Sequence, residues 1–233
     1  PGFEEMREQL SDVMVDRRKQ GLAVLEIDDA SEERLLKAVL GLTAREGRKA
    51  LARALLERAT VDDDVFRQLV SEKKHLVQGS DLLEFHDLEE GLMDVGGLEG
   101  LKGWIRQRAD AFSTRAQEQG GPTPKGVGLL GVQGCGKSLI SRAIAQLLSF
   151  PLVRLDVSNL LSADQGQSEQ NMRYVLNLVE TIAPAVLWID EIDKGFSGSG
   201  EEAQETTMTR LLGRFLTWMQ EHRSQVFVVA TAN

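Results

Sequence analysis

Lys137 and Ser138 close a glycine-rich run, Gly131, Gly134 and Gly136, within GVGLLGVQGCGKS at residues 126–138. This GxxxxGK[ST] spacing suits a phosphate chain. Glycines let the backbone fold over an anion with no Cβ in the way, so that several N–H groups face it. Lys137 supplies a point charge for β- and γ-phosphates, and the Ser138 hydroxyl is a ligand for Mg²⁺. A chance glycine turn would use the same letters. Here, however, an apolar strand (Val127, Leu129, Leu130, Val132) leads in, and a helical face (Ile140, Ala143, Ile144, Leu147, Leu148) leads out. A helix N-terminus at this point favours bound anions.

The second chemical pair is Asp190 and Glu191, in AVLWIDEID. An apolar run that ends in two carboxylates reads as a central parallel strand, buried on both faces, with its acidic end at the ligand-binding edge. Neighbouring strand residues point in different directions, which suits two jobs. Asp190 is expected to hold the water shell of Mg²⁺ opposite Ser138, and Glu191 to polarise an attacking water. At the end of a last strand, Val226–Ala230, Thr231 and Asn233 bring polar groups to the same edge. Asn233 is the candidate for orienting that water.

The intervening segments supply the scaffold. Pro151 precedes a short strand at Leu152–Leu155. A helix with Met172, Val175, Leu176, Val179 and Ile182 on one face ends at Pro184, and a second carries Met208, Leu211, Leu212, Phe215 and Met219. Residues 194–206 read as a polar Gly/Ser-rich loop. Strands alternating with helices predict an α/β fold with a parallel sheet and helices on both faces. A helix over Leu98–Gln117 and the loop GGPTPKG lead into the first strand.

Upstream, a small helical unit is expected. Ser31 can cap a first helix (Leu35, Leu36, Val39, Leu40). Thr43 and Glu46 have capping-box spacing for a second, and Asp62 or Asp63 can start a third. Before it lies an amphipathic start (Phe3, Met6, Leu10, Val13, Met14). Leu22–Ile27 is then open between strand and helix end.

Composition narrows the classes. The chain has 233 residues, 27 basic against 36 acidic side chains and a formal charge of −9. That balance argues against a nucleic-acid footprint. No apolar run has the length of a membrane span, and no secretory leader is visible. One cysteine, Cys135, forms no internal disulfide and reads as a small residue tolerated in the loop. His75, His86 and His222 are scattered, and each reads as a surface or hydrogen-bonded histidine rather than a metal ligand. The chain begins at Pro1 and stops at Asn233 directly after an apolar strand, so both ends look cut.

Taken together, GVQGCGKS, LWIDEID and VVATAN resemble the Walker A, Walker B and sensor-1 elements of an AAA+ ATPase, over about residues 88–233. DVGGLEGLK at 94–102 resembles the opening segment of the AAA clade. That likeness implies that Asp94, Val95 and Gly96 hold adenine, while Gln133, Gly134, Cys135, Gly136, Lys137, Ser138 and Leu139 hold the phosphates. Catalytic roles would fall to Glu191, Lys137 and Asn233, and Mg²⁺ to Ser138 and Asp190. LLEFHDLEEGLMDVGGLEGLKGWI, PLVRLDV, VLWIDEIDKGF and FLTWMQE are further similar to the hypothetical-chloroplast-reading-frame AAA ATPases of plastids and cyanobacteria. That family is associated loosely with photosynthesis. It implies that residues 1–80 are lid-like, from a degenerate first ATPase module, with the nucleotide-binding core at 81–233.

Two departures stand out. AAA ATPases continue past sensor 1 with an arginine finger, a fifth strand and a helical lid; without that strand, the strand feeding the phosphate loop would lie at a sheet edge. The aromatic-hydrophobic pair that grips clients in the ring pore falls on Asp164 and Gln165, beside Ala163 and Gly166, and Phe196 is the other candidate for that grip. The expected protein is an ATP- and Mg²⁺-dependent hydrolase that remodels a protein partner as a ring, a hexamer by resemblance, in the bacterial cytoplasm or plastid stroma. The rival readings are an ATP-dependent scaffold or switch with slow hydrolysis, and a DNA-acting helicase or clamp loader, which the acidic charge disfavours.

Overall fold

Alternation within the strands decides the architecture. In the computed structural model, which describes residues 2–56, 58–87, 96–113, 116, 119–161, 165–195 and 202–233, five strands form one sheet. They are β1 (Leu83–His86), β2 (Gly126–Leu130), β3 (Leu152–Leu155), β4 (Ala185–Ile189) and β5 (Val226–Ala232), in the spatial order β1-β3-β4-β5-β2. β3, β4, β5 and β2 run parallel, as expected. β1 pairs antiparallel with β3, from Leu83 opposite Leu155 to His86 opposite Leu152, so the sheet is mixed rather than wholly parallel. Among the described residues β2 forms the other edge, and Leu130 is 83% exposed there.

Every residue of β4 is buried. Val186 and Trp188 join one core with Leu152, Phe227 and Val229, whereas Ala185, Leu187 and Ile189 join a second with Val153, Leu155, Val226 and Val228. A strand covered on both faces needs this unbroken apolar run, and the period of two divides it between the faces. The second core is closed by helices running Gln165–Ile182 and Glu202–Glu221. The first is closed by the Lys137–Leu148 and Glu99–Ala109 helices, and Phe112 stands edge-on to Phe150 and Phe227 at 5.4 and 6.0 Å. Edge-to-face pairs of this kind add to plain area burial.

The first four N-terminal helices pack on that same first core, whereas the fifth puts Val77 into the second. In chain order these are α1 (Phe3–Lys19), α2 (Asp29–Val39), α3 (Ala44–Leu55), α4 (Asp63–Ser71) and the single-turn α5 (Lys74–Val77). The sheet-side helices follow as α6 (Glu99–Ala109), α7 (Lys137–Leu148), the single-turn α8 (Val157–Leu160), α9 (Gln165–Ile182) and α10 (Glu202–Glu221). The helical unit is thus larger than three helices, because the amphipathic start is α1, burying Met6, Leu10 and Val13. Leu22–Ile27 is neither strand nor helix. Asp28 rather than Ser31 caps α2, accepting from the Ser31 N–H at 2.8 Å. The Thr43–Glu46 capping box is present, and Asp62 caps α4. α6 stops at Ala109 and passes into a 3₁₀ turn at Asp110–Phe112, short of Gln117. α10 begins at Glu202, inside the stretch expected to be loop.

Two residues fasten the helical unit to the sheet. Lys73, fully buried between α4 and α5, donates through Nζ to the carbonyls of Lys37, Ile182 and Pro184 at 3.3, 3.2 and 3.5 Å. Gly41, at φ +91°, lies so close to the end of α9 that a Cβ there would stand 2.7 Å from the Thr181 carbonyl oxygen. Glycine alone fits that approach with that backbone. A cleft of about 480 Å³ runs along the same junction, lined in part by Arg34, Phe66 and Ser149. There the Arg34 guanidinium lies 3.8 Å from the Phe66 ring centroid and donates to Ser149 Oγ at 3.1 Å.

Candidate nucleotide site

The phosphate loop joins β2 to α7. Gly134 and Gly136 adopt φ +82° and +90°, and Gly136 is the residue ahead of the first turn of α7. No atom lies within 4 Å of where a Cβ would stand on either glycine, so the left-handed backbone rather than crowding accounts for both. Val132, Gln133, Gly134, Cys135 and Ser138 are exposed, leaving the inner wall of the loop open to a ligand. Behind it, Ile140, Ala143, Ile144 and Leu148 are buried and hold α7 on the sheet, as their spacing predicts.

Lys137 Nζ donates to the Gly131 and Val132 carbonyls at 2.6 and 3.1 Å and to Asn233 Oδ1 at 2.8 Å. The Asn233 N–H reaches Asp193 Oδ1 at 3.3 Å. The loop lysine and the residue after β5 thus meet directly, at the C-terminal edge of the sheet.

Asp190 and Glu191 follow β4 at that edge. Asp190 accepts Thr231 Oγ1–H on Oδ1 at 2.7 Å and the Arg154 guanidinium on Oδ2 at 3.2 Å. Thr231 is fully buried, and its oxygen also accepts the Glu191 N–H at 3.0 Å. Glu191 sits at φ +49°, a left-handed conformation that costs a side-chain-bearing residue about 1–2 kcal/mol. One buried hydroxyl thereby fixes both the carboxylate of Asp190 and the strained turn that aims Glu191. The spacing of PLVRLDV assigns Arg154 no role. Only the β3–β4 register, with Arg154 opposite Trp188, brings it within reach of Asp190.

These residues fit a Mg²⁺–nucleotide. The loop N–H groups and Lys137 suit phosphates, and Ser138 and Asp190 are the oxygen donors suited to a hard cation and its water shell. Of the adenine set, Gly96 is exposed and precedes Gly97 and Leu98, at φ +74° and +58°. Asp94 and Val95 lie outside the described residues, as do Ala163, Asp164 and Phe196 of the expected pore segments; Gln165 opens α9.

His75 is exposed and bonds the Glu72 carbonyl, and His222 Nδ1 meets Ser224 Oγ at 3.1 Å, both within expectation. His222 is buried rather than on the surface, stacks on Trp218 at 4.2 Å, and has Nε2 without a hydrogen-bond partner. Burial lowers its pKa. His86 Nε2 is likewise buried and unpaired by hydrogen bonding, with its ring 5.5 Å from that of Trp188. Among the described residues no helix is long and apolar enough to cross a membrane.

Residues 127–233 match the family described as "ATPase family associated with various cellular activities (AAA)", and residues 4–80 match "SpoVK-like AAA ATPase, second domain". Two similar proteins are both named "Uncharacterized AAA domain-containing protein ycf46". The one from Trieres chinensis is 38% identical, covering 90% of this chain and 42% of the relative. The one from Guillardia theta is 41% identical, covering 89% and 41%. The chain therefore spans less than half the length of these relatives. Among solved structures, the FIGL-1 AAA domain in complex with ADP is similar, with a TM-score of 0.50 and 27% identity over 68% of this chain and 54% of that one. On these matches the chain belongs to the AAA ATPase family, and it resembles the ycf46 AAA domain-containing proteins.

Proposed function

We propose that the chain carries the nucleotide site of a Mg²⁺-dependent ATP hydrolase that couples ATP binding and hydrolysis to remodelling of a protein partner. The observation that carries this reading is the convergence of Lys137, Asp190, Thr231 and Asn233 on one edge of the sheet, beside the strained Glu191. Gln133 to Leu139 hold the phosphates, with Asp94, Val95 and Gly96 against the base. Lys137 must leave the Gly131 and Val132 carbonyls to meet the β- and γ-phosphates. Ser138 and Asp190 hold Mg²⁺, which supplies charge neutralisation on the phosphoryl oxygens. Glu191 takes the proton of the attacking water, and Asn233 orients that water.

The helical unit at residues 1–80 is read as a lid-like element of a degenerate first module, and 81–233 as the nucleotide-binding core. That residues 4–80 and 127–233 match two different AAA models supports a division of the chain into two units. Work is done in a hexameric ring, in the plastid stroma or a bacterial cytoplasm, on a protein client. A switch with slow hydrolysis is the second reading, favoured by the Arg154 contact that partly neutralises Asp190.

The test is phosphate release from ATP by the intact protein, with Mg²⁺ and with EDTA, alone and with candidate client proteins. Mg²⁺-dependent turnover that a client accelerates supports the remodelling reading. Turnover that no client or assembly state changes would leave only the switch, and no nucleotide binding at all would sink both.

A further inference from the structure

Glu84, Arg154 and Trp188 stand in one row across three strands, set by the registers Glu84 opposite Arg154 and Arg154 opposite Trp188. Asp190 lies two residues beyond Trp188, on the same side of the sheet. The Arg154 guanidinium carbon is 5.3 Å from the Trp188 ring centroid, and its nitrogens reach Asp190 Oδ2 at 3.2 Å and Glu84 Oε2 at 3.4 Å. The Asp190 side chain is 18% exposed and that of Arg154 35%, while Glu84 is open to solvent at 61%. The carboxylate proposed to hold the metal's water shell therefore already has a cation on one oxygen and the Thr231 hydroxyl on the other.

A carboxylate oxygen accepts more than one hydrogen bond, so this arrangement leaves Asp190 able to receive a metal-bound water. A guanidinium cannot shed its charge at any ordinary pH. Its effect on an incoming divalent cation is thus repulsion across a few ångströms in a partly buried site, where screening is incomplete. The same contact aims the carboxylate. We propose that Arg154 is a positioning residue that shares Asp190 with Mg²⁺ and so sets how much Mg²⁺ nucleotide binding requires, with Glu84 drawing its charge away from the metal. This makes β1, the first strand after the helical unit, part of the electrostatics of the metal site. The inference rests on the reading of Asp190 as the residue that supports Mg²⁺.

The test is the Mg²⁺ concentration that half-saturates binding of a fluorescent ADP to the intact protein, with nucleotide affinity in EDTA as the baseline. Arg154→Gln keeps a hydrogen-bond donor and removes the charge, so it should lower half-saturating Mg²⁺ by about tenfold with the EDTA baseline unchanged. Arg154→Lys restores the charge and should return the parent value, which a purely structural role would not do. Glu84→Gln, at an exposed position safe for folding, should move the value the other way by about twofold. Asp190→Asn should raise it by more than tenfold. If Asp190→Asn leaves the Mg²⁺ requirement unchanged, the metal role of Asp190 fails, and this inference with it. If Asp190→Asn shifts it but Arg154→Gln and Glu84→Gln do not, or if Lys behaves like Gln at 154, only the inference about Arg154 is overturned. Should Arg154→Gln not fold, the Glu84→Gln shift decides.

Discussion

Lys137 Nζ and Asn233 Oδ1 are 2.8 Å apart, joining residues 96 positions apart in sequence. The contact ties the phosphate loop to the end of β5. Phosphate contact by Lys137 and water orientation by Asn233 would separate the pair. Asn233→Ala should therefore leave ATP affinity within about threefold and lower turnover by about 10²–10³-fold, the scale of one lost polar group in a phosphoryl- or acyl-transfer site. Binding by fluorescence and turnover by phosphate release check it; a matched loss of affinity and no loss of saturated turnover would refute it.

The buried Thr231 should matter to both stability and turnover. Thr231→Val keeps the shape but strands the Glu191 N–H and one oxygen of Asp190, both tied to the hydroxyl. An unpaired buried polar group costs about 1–3 kcal/mol. Denaturant unfolding should show a loss of that size, and turnover should fall although Thr231 touches no substrate. Unchanged stability and turnover would show that the hydroxyl does not hold the turn.

The sequence carried the parts of this site that are local. Glycine spacing, the apolar face of α7 and the buried run of β4 are properties of neighbouring residues, and all three stand as read. What it did not carry is register. Arg154 meets Asp190, and Thr231 meets Glu191, only because β3, β4 and β5 pair in one particular alignment. β1 was hidden for a related reason: LEFH is four residues long with no Gly or Pro beside it, and it is a strand only because β3 offers an edge. The start of α2 slid three residues because Asp28, Asp29 and Ser31 are all competent caps.

Lys73 gives stability a pH dependence. Burial lowers its pKa from 10.5 to about 7, so between those values the unfolded chain binds a proton that the folded one has released. Stability then rises with pH across that window and is lost as pH falls through about 7. Urea unfolding from pH 7 to 10 should show the rise in the parent and a flatter profile in Lys73→Met. Parallel profiles would mean that Lys73 keeps its charge when folded.

Gly41→Ala tests the seat of the helical unit on α9. The φ of +91° and a Cβ placed 2.7 Å from a backbone oxygen together predict a loss of about 2–4 kcal/mol. Equilibrium unfolding measures it. A loss under 0.5 kcal/mol would show that the two elements part without strain.

Glu191 is the residue on which hydrolysis turns. Lys137→Ala should abolish ATP binding, but many nucleotide-binding proteins would show that. The deciding measurement is turnover of Glu191→Gln at saturating Mg²⁺-ATP. ATP affinity should stay close to the parent's and turnover should fall by about 10²–10⁴-fold, the worth of a positioned base. Parent-level turnover in Glu191→Gln, with ATP bound, would contradict the assignment of Glu191 as the group that activates water.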